Sequence, residues 1–187
     1  DGGKALRRAI GDVFGEHALV QRCHRHKERN VIELLPERDR DQVRARIRAA
    51  WSLTDPLLAE QRLQLLATEL DHTWPDAAGS LREGIHDTLT LMRLGITGKL
   101  AATLCSTNPC ESMIEIVRHT QRNVKRWQDG DMRKRWTAAG MLVAEQQFRR
   151  IISYRDLAKL VIAIERHAIH VAPKDNVHQQ IPEPVTV

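Results

Sequence analysis

The run Ser106-Thr107-Asn108-Pro109-Cys110-Glu111, followed by Arg118, Arg122, Lys125 and Arg126, places one carboxylate ahead of a series of basic side chains. A carboxylate suits a hard cation such as Mg²⁺, and Lys or Arg neutralises phosphate, so these are the parts of a site that meets a phosphodiester backbone. The local sequence predicts a helix start: Asn108 at the N-cap, Pro109 at N1, where its missing N–H costs nothing, and Glu111 at N3. Ile114, Val117 and Val124 supply an apolar face, while Arg118, Arg122 and Arg126 recur every four residues along one stripe. Like charges at that spacing repel by roughly a few tenths of a kcal/mol, which an anionic partner relieves. The same residues also have a plainer reading, because Glu at N3 is a common capping-box residue and Arg stripes are often solvated.

Positioning that carboxylate falls to a chain whose periodicity is helical almost throughout. Lys4 to Phe14 reads as a short helix, and Ala18 to Cys23 reads as a brief strand bounded by Gly15 and a polar run. Beyond His26, apolar residues line helical faces in three groups: Val43, Ile47 and Trp51; Ala59, Leu63, Leu66 and Leu70; Leu81, Ile85, Leu89 and Met92. Pro36, Asp55-Pro56, Trp74-Pro75 and the stretch from Gly95 to Gly98 punctuate them as turns. After the Glu111 helix, Asp129-Gly130 is expected to turn the chain into a helix from about Met132 to Arg150, with Trp136, Gly140, Val143 and Phe148 as packing positions. A last helix is expected over about Tyr154 to His170, with Leu157, Leu160, Val161 and Ile164 facing inward. Pro173, Pro182 and Pro184 mark the remainder as a loose tail.

The chain has 187 residues, enough to bury a core, and carries a net charge of +5. Nine basic side chains against five acidic ones fall between residues 106 and 150, so most of the excess lies around the candidate site and points to a polyanionic partner. No apolar run is long enough to span a bilayer, which argues against a membrane partner. Three cysteines, Cys23, Cys105 and Cys110, are an odd set that suggests free thiols in a reducing cytoplasm. A chain opening on Asp1-Gly2 with one strand and no strand partner is expected to be a piece of a longer α/β protein.

Four ordered motifs can be read together: Asp1-Gly2; Gln21-Arg22-Cys23-His24-Arg25-His26 with Arg29-Asn30; Ser106-Thr107-Asn108-Pro109 with Glu111; and Asn123-Val124-Lys125-Arg126-Trp127. In that order and spacing the sequence resembles the mutator-type transposases of bacterial insertion sequences over nearly residues 1 to 165. The resemblance implies a fold class: a predominantly helical α/β fragment forming the C-terminal part of an RNase H-like catalytic domain interrupted by an all-α insertion. The implied division is 1–30 for the end of the catalytic core (helix, strand and start of a helix), 31–105 for the insertion, 106–170 for the catalytic-Glu helix and C-terminal helices, and 171–187 for a flexible tail.

By the same resemblance, Asp1 looks like the second Asp and Glu111 like the Glu of a DDE triad that holds two Mg²⁺ (or Mn²⁺) ions. The first Asp has no counterpart in this sequence, which is therefore expected to be inactive alone. Two such ions activate an attacking oxygen and stabilise a leaving one, so the implied activity is cleavage of transposon-end phosphodiesters and strand transfer into target DNA. Cys23 and His26 form a Cys-x2-His signature shared with the family. As half of a zinc set it would need Cys105 and Cys110 nearby, and as a structural pair it would have a buried Cys and a hydrogen-bonded His. Arg118, Arg122, Lys125 and Arg126 are candidates for double-stranded DNA backbone contacts, and Trp51 and Trp74 are either core residues or stacking surfaces for an extruded base. Joining two transposon ends implies at least a homodimer, working in the bacterial cytoplasm with the nucleoid. The alternatives are a catalytically inactive DNA-binding or subunit-interaction remnant of a truncated transposase, and another RNase H-like nuclease, such as a resolvase, which is not expected to carry the Asn123 to Trp127 motif.

Overall fold

The computed structural model describes the backbone of residues 2–15 and 18–171 and the side chains of 2–15 and 18–168. Asp1 and residues 172–187 of the expected tail lie outside the described residues. The helices are α1 (Lys4–Phe14), α2 (His24–Ile32), α3 (Glu37–Trp51), α4 (Pro56–Asp71), α5 (Pro75–Arg82), α6 (Ile85–Thr88), α7 (Thr90–Arg93), α8 (Gly98–Leu104), α9 (Asn108–Gln121), α10 (Gly130–Glu145) and α11 (Leu157–Val171).

Proline and its neighbours set the starts of the central helices. Pro56 and Pro75 each occupy the first turn, and the Asp55 carboxylate caps α4 by accepting from the N–H groups of Leu57 (2.8 Å) and Leu58 (3.3 Å). Helices α2 to α5 then bury one face each. Val31, Ile47, Leu63, Leu66 and Leu81 are at most 2% exposed and form one core with Ile85 and Leu89, as the periodicity predicts. Trp51, Trp74 and Met92 pack on its margin. A smaller core joins Leu91, Ile96 and Leu100 to Leu157 and Leu160 of α11. Val161 and Ile164, expected to face inward with them, are exposed instead.

The expected strand at Ala18 to Cys23 is not formed, and among the described residues there is no strand. A strand needs a neighbour for its N–H and C=O groups, and here helix ends supply the partners. Arg22 N–H donates to Asp87 C=O (2.8 Å), Thr90 Oγ1 donates to Val20 C=O (2.7 Å), and His24 N–H donates to Cys105 C=O (2.9 Å). The Gln21 side chain extends the pattern, donating to Thr88 C=O and accepting from Leu91 N–H. Arg22 is itself buried, with its guanidinium bonded to Glu83 and lying beside Gly84, whose φ of 72° and missing Cβ both favour glycine.

Helices α9 and α10 form a hairpin. Asp129 caps α10 by accepting from Met132 N–H (2.6 Å), so α10 begins two residues earlier than expected. It also ends at Glu145, leaving Phe148 outside it and exposed. The face that packs is the small one, Thr137, Gly140 and Ala144, at helical spacing; Trp136 and Val143 are largely solvent-facing. A Cβ at Gly140 would lie 3.0 Å from Val117 Cα and 3.1 Å from its Cγ1. Gly140→Val is therefore expected to destabilise the protein by about 1–3 kcal/mol, read as a lower thermal midpoint, with spreading of the α9–α10 contact as the cause.

Candidate active site

Helix α9 starts one residue before the sequence suggests. Thr107 is the N-cap residue, its C=O accepting the first helical bond from Glu111 N–H (2.9 Å), so Asn108 is the first helical residue, Pro109 the second and Glu111 the fourth. Proline fits any place in a first turn whose N–H groups lack helical partners. What decides the register is where Thr107 points. Its hydroxyl makes no cap bond; instead it reaches Glu111 Oε1 (2.5 Å), His26 Nδ1 (3.2 Å) and Cys23 Sγ (3.5 Å). His26 Nε2 is in turn 3.4 Å from Glu111 Oε1. Cys23 is buried, His26 largely so, and Glu111 half exposed. The Cys-x2-His signature and the Glu111 motif thus meet at one hydroxyl, which the sequence quotes within its motif but to which it assigns no role.

A hydroxyl has one proton to give. The shortest contact commits it to Glu111, leaving the Thr107 oxygen to accept from Cys23 S–H and from His26 Nδ1–H; an imidazolium alone would present N–H groups to both Thr107 and Glu111. Glu111 is accordingly held below the ordinary carboxylate range, first by the Thr107 bond, against the opposing effect of burial, and then by the charges of His26, Arg25 and Arg29. Burial pushes the Cys23 thiol up, while hydrogen bonds from Thr107 and from the backbone at His26 and Thr107 bring it down to about 7. The side-chain parts of these two effects draw on the same proton and are alternatives; the 2.5 Å contact favours Glu111.

A cleft of about 300 Å³ opens over this cluster, lined by Cys23, Arg25, His26, Arg29, Thr107 and Glu111 among others. The cations nearest the carboxylate therefore come from α2, not from α9. Arg118 lies on α9, Arg122 follows its last residue, and Lys125 and Arg126 lie in the connection to α10; all four are exposed. The expected Arg stripe is broken because the helix stops at Gln121, where Val124 N–H turns back onto Gln121 C=O (2.9 Å). At about 1.5 Å per residue, Arg118 and Arg122 sit some 10–16 Å along the axis from Glu111, a distance suited to other phosphates of the same backbone.

The metal question turns on the donor set. Glu111 supplies one hard oxygen site, and because Thr107 and His26 both address Oε1, Oε2 is the oxygen left to face a cation. Among the described residues no three His, Cys, Asp or Glu side chains are grouped to hold a metal ion. Cys105 lies near Cys23 and is pushed up to about 11 by burial and by that neighbour, and Cys110 is exposed; the described residues therefore do not assemble Cys23, His26, Cys105 and Cys110 into one ligand set.

The ordered motifs and this convergence agree with one comparison: residues 1–164 match the Mutator family of transposases. The chain belongs to that family. No curated protein and no solved structure matches it. A transposase acts on DNA, and no helix among the described residues is long and apolar enough to cross a membrane.

The role of Thr107 can be separated from that of Glu111. In Thr107→Val the Glu111 carboxyl is expected to titrate closer to its ordinary value, read by carbon NMR of the labelled side chain. A depressed carboxylate stabilises the fold above its ordinary pKa, and that contribution is lost as pH falls through the depressed value. The variant should therefore lose stability at neutral pH and little at acid pH; equal losses at both would assign Thr107 a packing role only.

Proposed function

We propose that this chain is part of a metal-dependent transposase in which Asp1 and Glu111 are two of the carboxylates that hold Mg²⁺ or Mn²⁺. The observation that carries the reading is the setting of Glu111: an exposed carboxylate at the head of α9, pinned through Oε1, with basic residues of α2 beside it. Asp1 lies outside the described residues, so its place beside Glu111 is part of the proposal. Divalent ions bound there would neutralise charge on a phosphodiester and activate the attacking oxygen. The chain's own contribution is to fix the Glu111 carboxylate through Thr107 and His26 and to draw phosphate toward it with Arg25 and Arg29.

On this reading residues 31–105, with α3 to α8, are an all-helical insertion in an RNase H-like domain, α2 begins in the part of that domain before it, and α9 to α11 return to it. Arg118, Arg122, Lys125 and Arg126 hold the DNA backbone without reading sequence. The complete protein cleaves transposon ends and joins them to target DNA, working as at least a dimer because two ends must be brought together. The third carboxylate of the triad has no counterpart among the motifs of these 187 residues.

Residues 1–187 are therefore expected to bind duplex DNA weakly and not to cut it. Robust Mg²⁺-dependent nicking by this chain, lost in Glu111→Gln, would overturn the inactivity while preserving the role of Glu111. In the binding assay, replacing Arg118, Arg122, Lys125 and Arg126 together with Gln should reduce the slope of log affinity against log salt by roughly 0.9 for each phosphate contact removed. An unchanged slope would place all four in solvent.

A further inference from the structure

The buried guanidinium of Arg22 lies between two glycines that are distant in sequence, Gly2 and Gly84. A Cβ at Gly84 would lie 2.6 Å from Nη1. A Cβ at Gly2 would overlap Nη2 and lie 2.7 Å from Cζ and 2.9 Å from Nε. Gly2 also has a φ of 127°, so its backbone conformation and its missing Cβ both suit glycine. Gly84 has a place of its own in the turn into α6, but the Asp1-Gly2 motif meets the Gln21 to His26 motif only through this side chain.

The guanidinium is bonded at its far end and idle beside Gly2. Nη1 donates to Glu83 C=O (3.1 Å) and Nη2 to Glu83 Oε2 (3.2 Å). Nε–H is buried and has no acceptor among the described residues. Buried N–H groups nearly always find a partner, so an idle one marks an acceptor still to be placed. Asp1 is the residue joined to Gly2 N, and its main-chain carbonyl comes within reach of that N–H when Gly2 is seated against the guanidinium. Pairing with the Asp1 carboxylate instead would take up oxygens and charge that a hard cation requires.

We propose that Arg22 is a positioning residue for Asp1: Nε–H donates to the Asp1 carbonyl oxygen, clamps the main chain there, and leaves the Asp1 carboxylate free to face Glu111 across a divalent ion. The proposal rests on the reading of Asp1 and Glu111 as partner carboxylates. Arginine suits the task because its planar guanidinium carries donors on more than one edge, so it holds Glu83 and the Asp1-Gly2 chain at once; a lysine ammonium has no such fixed plane. One short segment then serves both carboxylates. Arg22 holds Asp1, while Cys23 and His26 meet the Thr107 hydroxyl that fixes Glu111. The separation of the two carboxylates is thereby set by the fold before an ion arrives.

The test is carbon NMR of the whole chain, labelled at the carbonyl and carboxyl carbons of Asp and Glu and titrated with paramagnetic Mn²⁺, which broadens the carboxyl signals of the residues that bind it. Mn²⁺ is expected to broaden Asp1 and Glu111 together. In Arg22→Gln the Glu111 broadening should remain, the Mn²⁺ concentration that broadens Asp1 should rise about tenfold or more, and the Asp1 carbonyl signal should move as its hydrogen bond is lost. Because Arg22 is buried and its replacement can cost the fold, Gly2→Ala is the second arm. Gly2 is exposed, so the thermal midpoint should stay near that of the unmodified chain while the added Cβ pushes the main chain off the guanidinium, with the same change at Asp1. Asp1 signals that respond to Mn²⁺ as before in either folded variant would overturn the inference and leave the pairing of Asp1 with Glu111 standing. Mn²⁺ broadening that misses Asp1 in the unmodified chain would overturn both.

Discussion

The segment from Val20 to Cys23 runs through the interior with no strand beside it, and its backbone groups must still be paired. Leaving one buried polar group unpaired costs about 1–3 kcal/mol, so the segment dictates where its partners lie. Those partners are the ends of α6, α7 and α8: the carbonyl oxygens of Asp87 and Cys105 and the hydroxyl of Thr90. Once they are met, α2 must leave from Cys23 and α9 must follow from Cys105 a few residues on. The meeting of His26 with Glu111 follows from a backbone requirement, and no direct attraction between the two is needed to explain it.

Buried charge follows the same segment. Arg22 and Lys27 are both buried, and among the described residues the carboxylate bonded to them is that of Glu83, itself largely exposed. Lys27 also donates to the carbonyl oxygens of Ser80 and Glu83, and its pKa is brought down to about 8, by burial first and then by Arg22, against the pull of Glu83 and Asp87. Main-chain oxygens at the end of α5 thus do much of the work that acidic side chains would otherwise do. With Arg22 filling the space beside Gly84, this is a specific, close-fitting joint between α2 and α5.

Much of the helical part was legible in the sequence. The periodic apolar residues of α3, α4 and α5 are the buried ones, and Pro56 and Pro75, expected to mark turns between segments, stand at the turn into α4 and α5, because both signals are local. The misplaced features depend on distant partners. Ala18 to Cys23 has strand-like residues, but strand formation requires a neighbour, and helix ends took that place. The Arg118 to Arg126 stripe presumed that α9 continues, whereas packing of Gly140 against Val117 sets a short hairpin. Cys23, His26 and Glu111 could be named from their motifs. That Thr107 joins them, and that Arg25 and Arg29 are the nearby cations, required the contact between α2 and α9 to be seen.

The spacing of these contacts along the chain gives the molecule two kinds of structure. The α9–α10 and α4–α5 pairs join neighbouring helices and close short loops. The contacts that build the candidate site span 84 residues from Cys23 to Thr107 and 81 from His26 to Thr107, and Arg22 reaches 61 residues to Glu83. Loop-closure entropy rises with the logarithm of loop length and is due before a distant contact returns any energy. The candidate site is therefore among the most costly parts of the described fold in chain entropy, and the helices between its two halves act as a spacer whose own local stability shortens the search.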